Sequence, residues 1–130
     1  TFTTVEGEEI AFKNILEKNK GKTIIIDIWA SWCRDCIKGM PKVERLQKNN
    51  PEVVFIFLSL DKTEEAWKRG IKKYRPQGQH YYMQSGWKGA FGTFLDLDWI
   101  PRYLVVDKTG TIQVYRAIKA DDKIIQEQLR

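Results

Sequence analysis

The sequence predicts an α/β protein built on a central mixed β-sheet with helices on both faces. Two apolar runs, residues 22–30 and 53–60, have the length and composition of strands that are buried on both sides. A segment with helical spacing of apolar residues follows each run, and this order is typical of parallel strands joined by crossover helices. Two strand-like segments near the end of the chain add an antiparallel hairpin, which makes the sheet mixed.

The individual elements are marked by local signals. Gly7 lies between two short extended pieces, and Gly21 ends the first helix. Pro51 and Pro76 stop the next two helices, and Thr63 is the expected N-cap, followed by two glutamates. Strands are predicted at residues 2–4, 9–12, 22–30, 53–60, 79–83, 102–107 and 111–116, and helices at 34–49, 63–74, 87–94, 121–129 and, as a short turn, 13–20.

Composition narrows the classes of protein that the chain can belong to. Its 130 residues contain no repeat or linker, so we expect one domain over residues 1–130, and no stretch is apolar for long enough to cross a membrane. The net charge is +5, but the lysines are scattered, which indicates a solvated surface rather than a nucleic-acid interface. The chain begins at Thr1 without an initiator methionine or signal peptide, so we expect a processed product or an excised domain.

Two cysteines separated by two residues lie where the first buried strand gives way to a helix. Cys33 and Cys36 are the only cysteines and are too close in sequence to join distant parts of the fold, which indicates local chemistry. A helix N-terminus stabilises a thiolate, so the pKa of Cys33 should fall below the free value of about 8.5. Cys33 is therefore the expected nucleophile, and Cys36, one turn further on, should be shielded and able to attack a disulfide formed at Cys33.

These residues carry a family resemblance. Residues 25–36 resemble the active-site segment of the thioredoxin superfamily. The chain is similar in particular to TlpA/ResA-like thiol-disulfide oxidoreductases, in which a W-x-x-W-C-x-x-C motif is followed by M-P and later by P-R-Y-L-V-V-D-K-x-G-x-I. These motifs stand here at residues 29–36, 40–41 and 101–112. The extra helix and strand between residues 60 and 87 resemble the insertion of that group, so the resemblance implies a thioredoxin-like fold with a TlpA/ResA-type insertion.

The resemblance also implies roles for residues around the cysteines. Cys33 would form a mixed disulfide with a protein substrate, and Cys36 would resolve it. Asp27 matches the buried acid of thioredoxins; a carboxyl group in an apolar strand has a raised pKa and could exchange protons with Cys36. The alternative is an Asp27 that bonds to nearby backbone or to a lysine and has no catalytic part. Pro101 should follow a cis peptide bond, the alternative being an ordinary trans proline at an edge strand.

Three residues are candidates for substrate binding. In the family, the backbone of the residue before the cis proline, here Ile100, pairs with an extended substrate segment. Trp32 and Trp99 flank the two motifs and could form an apolar rim that receives a partner protein. Protein substrates with disulfides or thiols, and an upstream electron-donor protein, are the partners that this role requires.

Several other functions are alternatives to a redox enzyme, and most of them require particular residues. A metal-binding module would need more ligands than two cysteines and the single His80 supply, unless a dimer shared two pairs. A non-catalytic partner-binding domain of the same fold is a second alternative. A haem-attachment site needs a histidine where Ile37 stands, and a peroxidase needs a threonine where Ala30 stands. The resemblance implies a reductant outside the cytoplasm, often with a membrane tether upstream, whereas oxidation or isomerisation would use the same residues at a different potential. We expect a monomer without cofactor or metal.

Overall fold

The computed structural model describes residues 1–130 as a single seven-stranded mixed sheet with five helices. The strands are β1 (Phe2–Thr4), β2 (Glu9–Ile10), β3 (Ile24–Trp29), β4 (Val54–Ser59), β5 (Gln79–Tyr82), β6 (Arg102–Val106) and β7 (Ile112–Ala117). The helices are α1 (Phe12–Lys18), α2 (Arg34–Asn49), α3 (Glu64–Tyr74), α4 (Ala90–Phe94) and α5 (Lys123–Gln128). The strand order is β2-β1-β5-β4-β3-β6-β7, which confirms the predicted mixed α/β sheet.

Strand β3 lies inside the sheet, between β4 and β6. It is parallel to β4 and antiparallel to β6, and every one of its six residues is buried. The central position explains the nearly continuous apolar sequence, because both faces of β3 are covered. The carboxyl ends of β3 and β4 meet at the same edge of the sheet, and the two cysteines follow directly after β3.

Helices cover both faces of the sheet. On one face, α1 and α4 meet through the rings of Phe12 and Phe91, whose centroids are 4.7 Å apart. On the other face lies α2, where the Tyr103 hydroxyl is 3.1 Å from the position that a Cβ atom on Gly39 would occupy. Asp27 is the direct cross-strand partner of Tyr103, so its side chain points towards the face that α2 covers.

The boundaries of the first elements differ from the prediction. Residues 9–12 were expected to be extended and 13–20 helical, but β2 ends at Ile10 and α1 begins at Phe12. The N-cap residue, Ala11, makes no side-chain hydrogen bond, so no capping signal in the sequence marks where this helix begins. Helix α5 begins later than the predicted residue 121, because the Asp122 carboxylate caps it by accepting a hydrogen bond from the Ile124 N–H, and it ends at Gln128, one residue before the predicted 129.

None of the five helices has the length and apolar character needed to span a bilayer. A cluster of buried apolar side chains, extending from Phe2 in β1 to Ile125 in α5, fills the space between the sheet and its helices.

Candidate active site

Cys33 is the N-cap residue of α2. Its backbone is extended, and its N–H donates to the Ala30 carbonyl over 3.1 Å, which closes the turn after β3. The Cys36 N–H then donates to the Cys33 Sγ over 3.1 Å, as an N-terminal N–H group does to a capping atom. The sequence prediction that Cys33 lies at the strand-to-helix junction is therefore confirmed. The N–H group that donates to its sulfur is one that has no partner within the helix.

The two cysteines form a disulfide bond. Their Cα atoms are 5.2 Å apart, within the usual range for such a bond. Cys33 is 5% exposed and Cys36 is 4% exposed, so in this oxidised form the first cysteine is barely more accessible than the second. Cys36 is shielded, as expected, but in the disulfide form Cys33 is buried to nearly the same extent.

The segment before β6 lies against the disulfide. The Ile100–Pro101 peptide bond is cis, as the motif predicts, and the Ile100 carbonyl oxygen is 3.7 Å from the Cys33 Sγ. Residues from the two separate sequence motifs, 67 positions apart, therefore meet at one place.

Arg102 secures this segment from inside the protein, a role that the sequence did not reveal. Its side chain is 2% exposed, and its guanidinium donates to the carbonyl oxygens of Leu95, Asp96 and Tyr115 over 3.0–3.1 Å. It also forms an ion pair with Asp98 at 3.1 Å. Since arginine supplies several donors in a rigid plane, one side chain ties together the turn that leads into the cis bond.

Asp27 is buried beneath the helix that carries the cysteines. It is 6% exposed, its Oδ1 has no hydrogen-bond partner, and none of the three ion pairs in the chain includes it. Burial raises its pKa from 3.8 to about 7, because desolvation disfavours the charged carboxylate. The alternative of an Asp27 bonded to backbone or to a lysine finds no matching contact, and the side chain can hold or release a proton near neutral pH.

A second buried carboxylate, Asp61, contacts the turn that leads to Cys33. It accepts hydrogen bonds from the Ser31 N–H at 3.0 Å, from the Ser31 hydroxyl at 2.6 Å and from the Ser59 hydroxyl at 2.7 Å. Asp61 was not predicted from the sequence. Its position directly after the second buried strand was the available signal, since the ends of neighbouring parallel strands meet at one edge of the sheet.

Exposed aromatic side chains surround this region. Trp32 is 58% exposed and Trp99 is 53% exposed, so both predicted rim residues are on the surface. Trp99 and Pro101 also line a pocket of about 430 Å³, which lies between α2 and the loop that precedes α5.

His80 lies away from the cysteines. It is on β5, where its ring stacks on Phe57 with centroids 5.1 Å apart and its Nε2 is 2.8 Å from the Pro76 carbonyl oxygen. Burial lowers its pKa, and the bond to Pro76 opposes that shift. The chain contains no group of three or more His, Cys, Asp or Glu side chains arranged to hold a metal ion.

Fold and site together define a thioredoxin-like protein. A helix N-terminal C-x-x-C pair stands beside a cis proline on a mixed sheet, and the thioredoxin-like family model matches residues 21–112. The chain therefore belongs to the thioredoxin-like family.

Among known proteins, the chain is similar to the thiol-disulfide oxidoreductase ResA of Bacillus cereus, with 32% identity over 98% of this chain and 66% of the relative. It is 25% identical to the thiol:disulfide interchange protein DsbE of Haemophilus influenzae, over 95% of this chain and 72% of that protein. The crystal structure of the thioredoxin domain of a Bacteroides vulgatus thiol-disulfide oxidoreductase has the same fold, with a TM-score of 0.79 and 20% identity over 100% of this chain and 92% of that domain. The chain thus spans about two thirds of the ResA relative, and the match to a Bacillus thuringiensis ResA covers 40% of that protein.

Proposed function

We propose that this protein is a thiol-disulfide oxidoreductase that reduces disulfide bonds in other proteins. The observation that carries the proposal is the disulfide between Cys33, the N-cap of α2, and Cys36, beside the carbonyl of the cis Ile100–Pro101 bond. Relatives named as thiol-disulfide oxidoreductases or thiol:disulfide interchange proteins support the same activity.

The reaction transfers two electrons from the dithiol to the substrate. The Cys33 thiolate attacks one sulfur of the substrate disulfide, which forms a mixed disulfide and expels a substrate thiolate that takes up a proton. Cys36 loses its proton and attacks the Cys33 sulfur, which releases the second substrate thiolate and leaves Cys33–Cys36 as a disulfide. The N–H of Cys36, which now donates to the Cys33 sulfur, would stabilise the thiolate of Cys33 in the reduced protein.

Asp27 is the proposed proton acceptor for Cys36. Its pKa of about 7 allows the carboxylate to take a proton near neutral pH and to return it, which is what an acid–base group must do. It lies on the face of the sheet that α2 covers, and Cys36 is the third residue of α2. Because Asp27 is buried, few water molecules compete with its carboxylate for the proton of Cys36.

The remaining proposals concern partners and location. Trp32, Trp99 and the Ile100 backbone are proposed to contact the substrate, because both indoles are exposed and Ile100 adjoins the reactive sulfur. An upstream electron-donor protein would reduce the disulfide after each turnover. By analogy with the relatives, we place the reaction outside the cytoplasm, with a membrane tether beyond this sequence. We also propose one domain over residues 1–130, supported by the single sheet and the continuous core.

In the experiment, the reduced protein is mixed with an equimolar amount of insulin, and the precipitation of insulin is followed as its chains separate. Wild-type protein is expected to release the insulin chains, and Cys33→Ser is expected to be inactive because no thiolate can start the exchange. Equal rates for the two proteins, or no release by the wild type, would overturn the proposal and favour a non-catalytic binding domain.

A further inference from the structure

Ser31 lies in the turn between β3 and α2, two residues before the nucleophilic Cys33. Its N–H and its hydroxyl both donate to the Asp61 carboxylate, at 3.0 and 2.6 Å. Asp61 follows β4, the neighbouring parallel strand, and a third bond, from the Ser59 hydroxyl at 2.7 Å, fixes the carboxylate in turn. The turn is therefore held by an element outside the C-x-x-C motif.

Asp61 needs these donors. It is 3% exposed, and none of the ion pairs in the chain supplies a cation to it. A buried carboxylate without a cation must be satisfied by hydrogen-bond donors, and two of the three are on Ser31. The carboxylate and the turn consequently hold each other in one arrangement.

Helix α3 packs on the same turn from another side. A Cβ atom on Gly70 would lie 2.5 Å from the Ser31 Cβ, so only glycine permits this approach. The Leu60 N–H also donates to the Trp29 carbonyl at 2.8 Å, which joins the ends of the two strands just below the turn. Ser31 is thus held by Asp61 on one side and by the backbone of α3 on another.

We infer that Asp61 is a positioning residue for the redox reaction, because it holds the Ser31 turn and thereby keeps Cys33 close to Cys36 when no covalent bond joins them. In the disulfide form, the S–S bond itself restrains Cys33. In the dithiol form that bond is gone, and the nucleophile is held in place by the turn together with its bonds to the first turn of α2. Loosening the turn therefore gives freedom to the dithiol only, which lowers the effective concentration of one sulfur at the other.

The inference rests on the proposed function but is tested on the cysteine pair itself. The disulfide and dithiol forms are equilibrated with glutathione redox buffers for the wild type, Asp61→Asn and Ser31→Ala. Asp61→Asn is expected to lower the effective concentration about fivefold, which raises the reduction potential by about 21 mV for a two-electron couple. Ser31→Ala keeps the backbone bond to Asp61 and is expected to lower it about twofold.

Asp107→Asn is the matched control. The Asp107 carboxylate likewise accepts bonds from one residue's N–H and hydroxyl, those of Thr109 at 2.9 and 2.6 Å. It follows β6, at the opposite end of the sheet from Cys33, since Val106 pairs with Ile24 at the start of β3. The reduction potential of the Asp107→Asn variant is expected to equal that of the wild type.

One further measurement makes the result decisive. The pH dependence of Cys33 alkylation reports any change in the thiolate population, and its contribution to the potential is subtracted. An Asp61→Asn potential equal to that of wild type, or an equal rise in Asp107→Asn, would overturn the inference. If Asp61→Asn does not fold, an unchanged potential in Ser31→Ala overturns it instead. Wild-type activity on insulin tests the proposed function separately, so either idea can fail alone.

Discussion

Replacing Asp27 by asparagine should change how the stability of the protein depends on pH. In the folded protein the buried carboxyl has a pKa of about 7, against 3.8 for its ordinary value. Between those two pH values the unfolded chain ionises Asp27 while the folded chain keeps its proton. Since the unfolded state then binds fewer protons, the free energy of unfolding falls as the pH rises.

The size of the effect follows from the pKa difference. At 1.36 kcal/mol per pH unit, the change from 3.8 to about 7 corresponds to about 4 kcal/mol. The contribution of Asp27 is therefore most favourable below pH 3.8, declines up to pH 7 and is constant above it. Asparagine has the same shape and does not titrate, so Asp27→Asn should lack this decline.

The assay is urea unfolding of the oxidised proteins between pH 4 and pH 8, followed by the fluorescence of the five tryptophans. The stability of the wild type minus that of Asp27→Asn should fall by about 4 kcal/mol over this range, a large part of a typical domain stability of about 5–15 kcal/mol. The difference cancels the titration of all other groups. A difference that stays constant within about 1 kcal/mol would show that Asp27 is not held protonated near neutral pH, and its proposed part in proton transfer would lose its basis.

Three further predictions concern stability. Thr63→Ala removes the N-cap oxygen that accepts from the Ala66 N–H at 3.1 Å, so urea unfolding should show a loss of about 1 kcal/mol, and Thr63→Ser should restore it; equal stability of all three proteins would contradict the cap. Gly70→Ala should destabilise the protein by about 1–3 kcal/mol in the same assay, because the new Cβ would lie 2.5 Å from that of Ser31; a gain of about 1 kcal/mol, as at an open helix site, would refute the close packing. Hydrogen bonds from neighbouring side chains lower the pKa of Asp107 to about 2, so its stabilising contribution is present above pH 3.8 and is lost as the pH falls through about 2. Wild type and Asp107→Asn should therefore differ by a constant amount from pH 4 to pH 8 and converge in acid, and a difference that drifts across neutral pH would count against this.

The order of the main elements could be predicted because it depends on local patterns. The strand-like run at residues 22–30, the C-x-x-C pair and the helical spacing that follows all lie within 30 residues. Each can therefore be recognised from neighbouring residues alone. The start of α1 could not be predicted, since its N-cap, Ala11, makes no side-chain capping bond. Local signals describe an element, but its exact ends depend on what it packs against.

The residues of the candidate site also divide into those that local motifs reveal and those whose place depends on tertiary packing. Cys33 and Pro101 could be found from the sequence, because their motifs are local and their meeting follows from the family resemblance. The role of Arg102 could not, because a charged side chain at the start of a strand usually faces water, whereas this one is buried by tertiary packing. Asp61 was not predicted either, although its position directly after the second buried strand was a signal. The near-equal burial of the two cysteines could not be predicted from sequence either, since it depends on tertiary contacts such as that of the Ile100 carbonyl with the Cys33 sulfur.

The central claim is that Cys33 attacks protein disulfides and that Cys36 resolves the product. The most direct measurement is mass spectrometry with peptide mapping of reduced Cys36→Ser after incubation with a disulfide-containing protein. We expect a stable mixed disulfide at Cys33, and none with Cys33→Ser under the same conditions. Failure of Cys36→Ser to capture the protein, or equal capture by Cys33→Ser through Cys36, would contradict the account.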